Sequence, residues 1–271
     1  MSWQTNMVIL KSMIPKLVLV FFSILLVSWK TLDGNWISEK RSGYNLIYTS
    51  VDLNNKDEYI KLVENGIISV ETFFGARYKE QFNIFIHPNR HSLDSTWQKA
   101  WNAKDFKSEC WMVASGVASR LDMISPKGWN KEACEHHYDD TISTQRLITH
   151  ELVHVYHGQL NPSPDFSNVE GIDWFVEGLA NYTSGQCDSL RISTIKDAIS
   201  NNKIPSGLES FWTGNLRYAL SGSVVMYIDI KFGRIRLKQL LSLTKKSDIL
   251  SSLNTSEAKL LTEWKKYIKS L

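Results

Sequence analysis

The spacing of apolar residues changes twice along the chain. Leu17 to Trp29 is a charge-free and mostly apolar run, residues 44–124 alternate strand-like and helical stretches, and from Thr141 onward the spacing is helical throughout. Tyr44–Ser50 (YNLIYTS) reads as a strand. Asp57–Phe74 carries Ile60, Leu62, Val63, Ile67, Ile68 and Val70 at helical intervals, with Gly75 placed to close the helix. Gln81–His87 (QFNIFIH) alternates and predicts a second strand. Leu93–Ala103 reads as helix, and Trp111–Ile124 as one or two strands ending at Ser125-Pro126. The second half predicts helices over 143–159, 173–184, 189–201, 216–232, 237–241 and 256–270. The fold class expected is α+β, with a small α/β sheet part (43–140) followed by a mainly helical part (141–271) in one domain.

The N-terminal run changes the picture of where this domain works. Lys11 and Lys16 precede it and Lys30 follows. Its 13 residues fall short of the roughly 20 that cross a bilayer and suit the core of a signal peptide. Extending back to Ser12 gives 18 residues, with Lys16 snorkelling toward the headgroups. The run ends in Val27-Ser28-Trp29, without a small-x-small cleavage site. Residues 1–29 are therefore expected to be either a signal peptide or an uncleaved signal anchor, with 7–29 as the stretch that would hold the membrane. Residues 30–42 (KTLDGNWISEKRS) are polar and read as a linker. The rest of the chain is expected outside the cytoplasm, in a periplasmic or extracellular compartment. No cysteine stands near the end of the run, which argues against a lipid-anchored lipoprotein.

Composition narrows the function. The 271 residues are 43% hydrophobic and 22% charged, an ordinary globular balance that argues against disorder and disulfide-only scaffolds. Two of the 31 lysines and arginines lie in the first 29 residues, which hold no acid, so the remainder is close to neutral. That balance offers no basic footprint, and no nucleic-acid partner is expected.

The chemistry is concentrated in Leu147-Ile-Thr-His-Glu-Leu-Val-His-Val-Tyr156. His150 and His154, four apart on a helix, lie about 40° apart around its axis and roughly 6 Å apart along it. Two imidazoles so placed can close on one zinc ion, and Glu151 beside them can take a proton from a water there. Asp139 and Asp140 suit the positive end of this helix, and Gly158 with Asn161-Pro162 supplies a stop. A catalytic zinc takes three protein ligands and keeps one open position. His157 and Leu160 do not fit the pattern that places a third histidine just downstream. The better third ligand is Glu177, the one acid amid the apolar residues of Trp174-Phe-Val-Glu-Gly-Leu-Ala-Asn-Tyr182. Asp173 reads as the cap of that helix, and Asn181, one turn after Glu177, as a residue able to orient a ligand histidine.

At these residues the chain resembles the gluzincin metallopeptidases, the HExxH…E enzymes related to thermolysin and the aminopeptidases, and is most similar to their bacterial peptidase MA-like branch. The resemblance rests on 149–154, 174–182 and 218–233, and spans roughly 43–243. It implies a zincin fold in the helical part, one zinc held by His150, His154 and Glu177, Glu151 as general base, and a peptide or protein substrate. It also implies that Tyr218, opening a helix with Tyr227 nine residues on, donates to the oxyanion. The interval of 22 residues between His154 and Glu177 is longer than thermolysin's. The Gly-x-Met-Glu-Asn signature of the exopeptidases is absent, and Ala114-Ser-Gly-Val-Ala-Ser119 stands in about its place. Small residues there would let a peptide add as an extra strand, which is consistent with an endopeptidase. The rival expectation is a membrane-tethered, non-catalytic binding or regulatory protein on the same scaffold.

Three cysteines remain. Cys110 and Cys134 are placed to form a disulfide in an oxidising compartment, leaving Cys187 buried and inert. A second metal site at Cys134-Glu-His136-His137 is the sharper alternative, although adjacent histidines point in different directions. His87, His91 and His157 are expected at the surface or behind the ligands.

Overall fold

In a computed structural model, residues 36–271 are described. The reading of residues 1–29 as signal or anchor lies outside them. No helix of the described part is long and apolar enough to cross a membrane.

A mixed five-stranded sheet opens the fold, in the order β1-β2-β3-β5-β4. Its strands are β1 (Trp36–Lys40), β2 (Tyr44–Thr49), β3 (Phe82–His87), β4 (Ala114–Val117) and β5 (Arg120–Ile124). The central strands β2, β3 and β5 are parallel, and the two edge strands run antiparallel to their neighbours. Helix α1 (Lys56–Phe74) makes the crossover from β2 to β3, and α2 (Arg90–Ala100) follows β3. Leu46, Ile84, Ile86, Leu121 and Met123 are buried on the sheet and belong to one core with the helices, as the alternating pattern requires.

Short α3 (Trp129–Glu132) ends the sheet part. The helical part then runs α4 (Thr141–Leu160), α5 (Asp173–Thr183), α6 (Ser189–Ser200), α7 (Arg217–Phe232), α8 (Arg234–Leu240), α9 (Lys246–Ser252) and α10 (Glu257–Ser270). The α+β class expected from the pattern is the one found. Differences lie where the burial signal is weak. Residues 36–40, read above as linker, form an edge strand whose half-exposed residues carry no apolar alternation. Helix α2 starts three residues early because the Asn89 side chain accepts from the Ser92 amide. It stops at Ala100, where Asn102 turns left-handed with φ 51°. Helix α9 is polar and buries only Ile249.

Two glycines bring the elements around α4 close enough to build a site. A Cβ on Gly116 would lie 2.3 Å from the Glu151 carbonyl oxygen, so β4 presses directly on α4. A Cβ on Gly178 would lie 2.4 Å from the Ser221 carbonyl oxygen, so α5 and α7 meet backbone to backbone. The disulfide Cys110–Cys134 joins the segment before β4 to the segment before α4.

Candidate metal centre

Helix α4 begins at Asp140, whose side chain accepts from the Ser143 amide. The acid placed there by its charge is thus also a geometric cap. Between Leu147 and Gly158 every residue is buried except Glu151. Helix α5 repeats the arrangement: from Trp174 to Asn181 all are buried except Glu177. Trp174, Phe175 and Leu179 are fully enclosed, and each contributes about 1.5–3 kcal/mol of burial. Two sealed helices therefore each turn one carboxylate away from the core. Asp173 is exposed in the first turn of α5, and Ile172 holds the cap position without a side-chain bond. The capping role expected of Asp173 is not found.

The three expected ligands come together. Nε2 of His150 and Nε2 of His154 are 3.0 Å apart. Glu177 Oε2 is 3.4 Å from the first and 3.6 Å from the second. Donor atoms at zinc bond lengths around a tetrahedron stand about 3.3–3.5 Å apart, so one ion fits between them. The electrostatics ask for a cation. Burial alone would raise the Glu177 carboxyl, yet His154 and then His150 hold it well below the usual range. Burial alone would lower His154, yet Glu177, followed by Glu151, brings it above its ordinary value. The ion pairs of the cluster join the histidines to Glu177 and leave Glu151 out of them. His150, His154 and Glu177 are thus a donor set that a zinc ion suits.

A partner that the sequence did not point to fixes the ring of His150. Its Nδ1 lies 3.1 Å from Gln186 Oε1, which aims Nε2 at the cluster. Gln186 sits in the turn after α5, its amide bonded at 2.9 Å to the Asn181 carbonyl. Asn181 does not reach a ligand histidine. Its amide donates to the Glu177 carbonyl and its Oδ1 accepts from Arg191. The contact depends on a turn that folds back over four residues, which no periodicity announces. Gln186→Leu is expected to weaken zinc binding about 10–100-fold, measured by competition with a chromogenic chelator; unchanged affinity would remove Gln186 from this role.

Tyr218 stands in the first turn of α7 and lines a cleft of about 420 Å³ together with His150, Glu151 and Gln186. Its ring meets Trp212 edge-on at 4.9 Å. Burial, then the charge of Glu177, push its phenol above the ordinary value, so at neutral pH it is a donor.

The other polar candidates have different places. His157 is fully buried between Phe166 and Phe175, and burial takes its imidazole down to about 3. His87 is also buried, between Asp122 at 2.7 Å and Ser92 at 3.0 Å, and is not at the surface. His91 is exposed. Cys134 is taken by the disulfide and His136 by the Trp111 carbonyl at 3.2 Å, so the second metal site is not formed. Cys187 is a free, half-buried thiol, pushed up to about 12 by burial, and stays protonated as expected of an inert cysteine. The long loop after α4 is tied down by the Asn161 amide, which donates to the Leu241 and Leu243 carbonyls.

No protein-family model and no curated protein matches the chain. Among solved structures it is similar to yeast LTA4 hydrolase, at 13% identity and a TM-score of 0.48 over 87% of this chain and 38% of that one. It is also similar to a mutant M1 zinc metallopeptidase from Deinococcus radiodurans, at 13% identity and a TM-score of 0.44 over 82% of this chain and 48% of that one. The chain spans less than half the length of these solved chains. Likeness at this level assigns no family to the chain.

Proposed function

We propose that the protein is a zinc-dependent peptidase, holding one zinc through His150, His154 and Glu177. The observation that carries this reading is the convergence of those three donors beside Glu151, the one residue of its helix stretch that is not buried, on the wall of the cleft. When bound in such a set, zinc supplies Lewis acidity and brings the pKa of its water toward about 7.

The chain's own groups supply the rest. Glu151 accepts a proton from the attacking water and returns it to the leaving amine. Tyr218 donates its phenolic hydrogen toward the oxygen on which negative charge develops. Gln186 keeps His150 in the tautomer that leaves Nε2 free. The substrate is a peptide or protein segment lying along the outer edge of β4, with which no described strand pairs. A peptide added there passes Glu151, because Gly116 holds that strand against the Glu151 backbone. An edge open along its length suits cleavage within a chain, and we assign endopeptidase activity on that ground.

The assignment of place and limits follows the sequence. Residues 1–29 act as signal peptide or membrane anchor, and the peptidase domain that follows takes in β1 (Trp36–Lys40) as part of its sheet. Export to an oxidising compartment is supported by the Cys110–Cys134 disulfide.

The test is chelation followed by zinc return, using the full chain on a mixed peptide pool read by mass spectrometry. Hydrolysis lost with chelator and restored by zinc, with cuts inside the peptides, is the result expected. Hydrolysis indifferent to chelator, or none after zinc is restored, would overturn the reading.

A further inference from the structure

Two guanidinium groups flank Tyr218 without a carboxylate to neutralise them. Arg191, in the first turn of α6, lines the cleft beside Gln186 and Tyr218. Among the described residues its side chain donates only from Nη1, to Asn181 Oδ1 at 3.0 Å and to the Gln186 carbonyl at 2.7 Å. Arg217 begins α7, and its Cζ lies 5.1 Å from the Tyr218 ring centre and 4.7 Å from that of Trp111. Neither arginine forms an ion pair among the described residues.

Their neighbours are different. Arg146 on the same cleft wall pairs with Asp188 Oδ2 at 3.1 Å, and the other oxygen of that acid accepts from the Arg191 backbone amide. Arg120 and Arg234, both partly buried, are held by Asp122 and Asp229. A guanidinium withdrawn from water normally has such a partner, because desolvation without one is costly. Burial accordingly pushes Arg191 below its ordinary value, against a smaller opposing effect of Asp188.

The geometry also leaves a usable edge. A guanidinium carries five N–H donors, and Nη1 spends its own on Asn181 and Gln186. Nε and Nη2 remain, and they form the parallel fork that takes a carboxylate in two hydrogen bonds. The two bonds from Nη1 fix the fork's direction before any ligand arrives, so little side-chain freedom is lost on binding.

We propose that Arg191, with Arg217 beside it, binds a carboxylate of the substrate next to Tyr218, so that the cleft selects acidic peptides. This rests on the peptidase reading above. The carboxylate can come from an aspartate or glutamate side chain or from the peptide's own C-terminus, and both present the same two oxygens.

The experiment uses the full chain and a short peptide series. A single Glu or Gln is moved through each position, and every member is made with a C-terminal acid and with an amide. Preference for carboxylate-bearing members of about 10-fold or more in kcat/KM is expected, the scale of a charge-assisted hydrogen bond. A preference that follows the Glu position identifies a side-chain ligand; one that follows the acid terminus identifies the C-terminal carboxylate. In Arg191→Gln the ratio of carboxylate to neutral peptide is expected to fall to near one. Arg191→Lys, which keeps charge without the fork, should retain part of it.

The same peptides, fluorescently labelled, are also titrated against Glu151→Gln protein, whose binding can be read without turnover. Arg191-dependent binding of the acidic members without hydrolysis by wild type would sustain this inference and remove the peptidase reading. Equal cleavage and equal binding of acidic and neutral members would overturn the inference. So would a preference that survives Arg191→Gln together with Arg217→Gln.

Discussion

Glu151→Gln is expected to slow peptide hydrolysis by about 10²–10⁴-fold and to leave zinc content unchanged. The glutamine keeps the size of the side chain and its place on α4, and both residues are good helix formers. It cannot accept the proton that the attacking water must lose. Metal retention is expected because the ion pairs of the cluster run from His150 and His154 to Glu177 and do not include Glu151. Stability should hold as well, since Glu151 is the one residue between Leu147 and Gly158 that is not buried. Initial rates on a peptide cut by wild type, beside zinc analysis of both proteins, read the two parts separately. A variant that turns over at the wild-type rate would take the role of base away from Glu151.

The second large effect is on the metal itself. Glu177→Ala is expected to weaken zinc binding by more than the loss of Gln186 does, and therefore beyond about 100-fold. Glu177 is the only anionic donor of the set, and its charge is what makes two imidazoles 3.0 Å apart a favourable place for a cation. Removing it leaves two neutral donors, one short of a catalytic site. The helix should survive, because α5 is anchored by Trp174, Phe175 and Leu179 and by the close approach of Gly178 to α7. Glu177→Gln separates charge from volume and should fail in the same direction. Chelator competition gives the affinity, and the circular dichroism of the variant reports the fold. Zinc affinity equal to wild type in Glu177→Ala would mean the ion is held elsewhere.

How much of this was legible beforehand depended on burial. Helix α4 runs over 141–160, against 143–159 expected, because its apolar positions are dense and Asp140 marks its start. Glu177 could be found because one acid in an apolar helix has few explanations. The sheet strands that face the core were legible for the same reason, and β1 was not, since an edge strand with half-exposed residues has no buried face to alternate against. Gln186 was invisible because its role depends on the turn after α5, where the Asn181 carbonyl catches its amide. The same turn explains the error over Asn181: its position one turn after Glu177 was right, but its side chain is spent on Arg191 and on its own helix. Asp173 had the residue type of a cap without its place, because Ile172 already occupies the cap position. The unpaired state of Arg191 is a property of three-dimensional neighbours, and composition could only say that charges balance overall.

The central claim is that these three side chains hold one zinc ion, and its most direct test is anomalous diffraction at the zinc edge from crystals of the zinc-loaded chain. The account expects a single peak about 2.0–2.2 Å from His150 Nε2, His154 Nε2 and a Glu177 carboxylate oxygen. A loaded crystal with no peak among those atoms, or with its zinc bound at other residues, would contradict it.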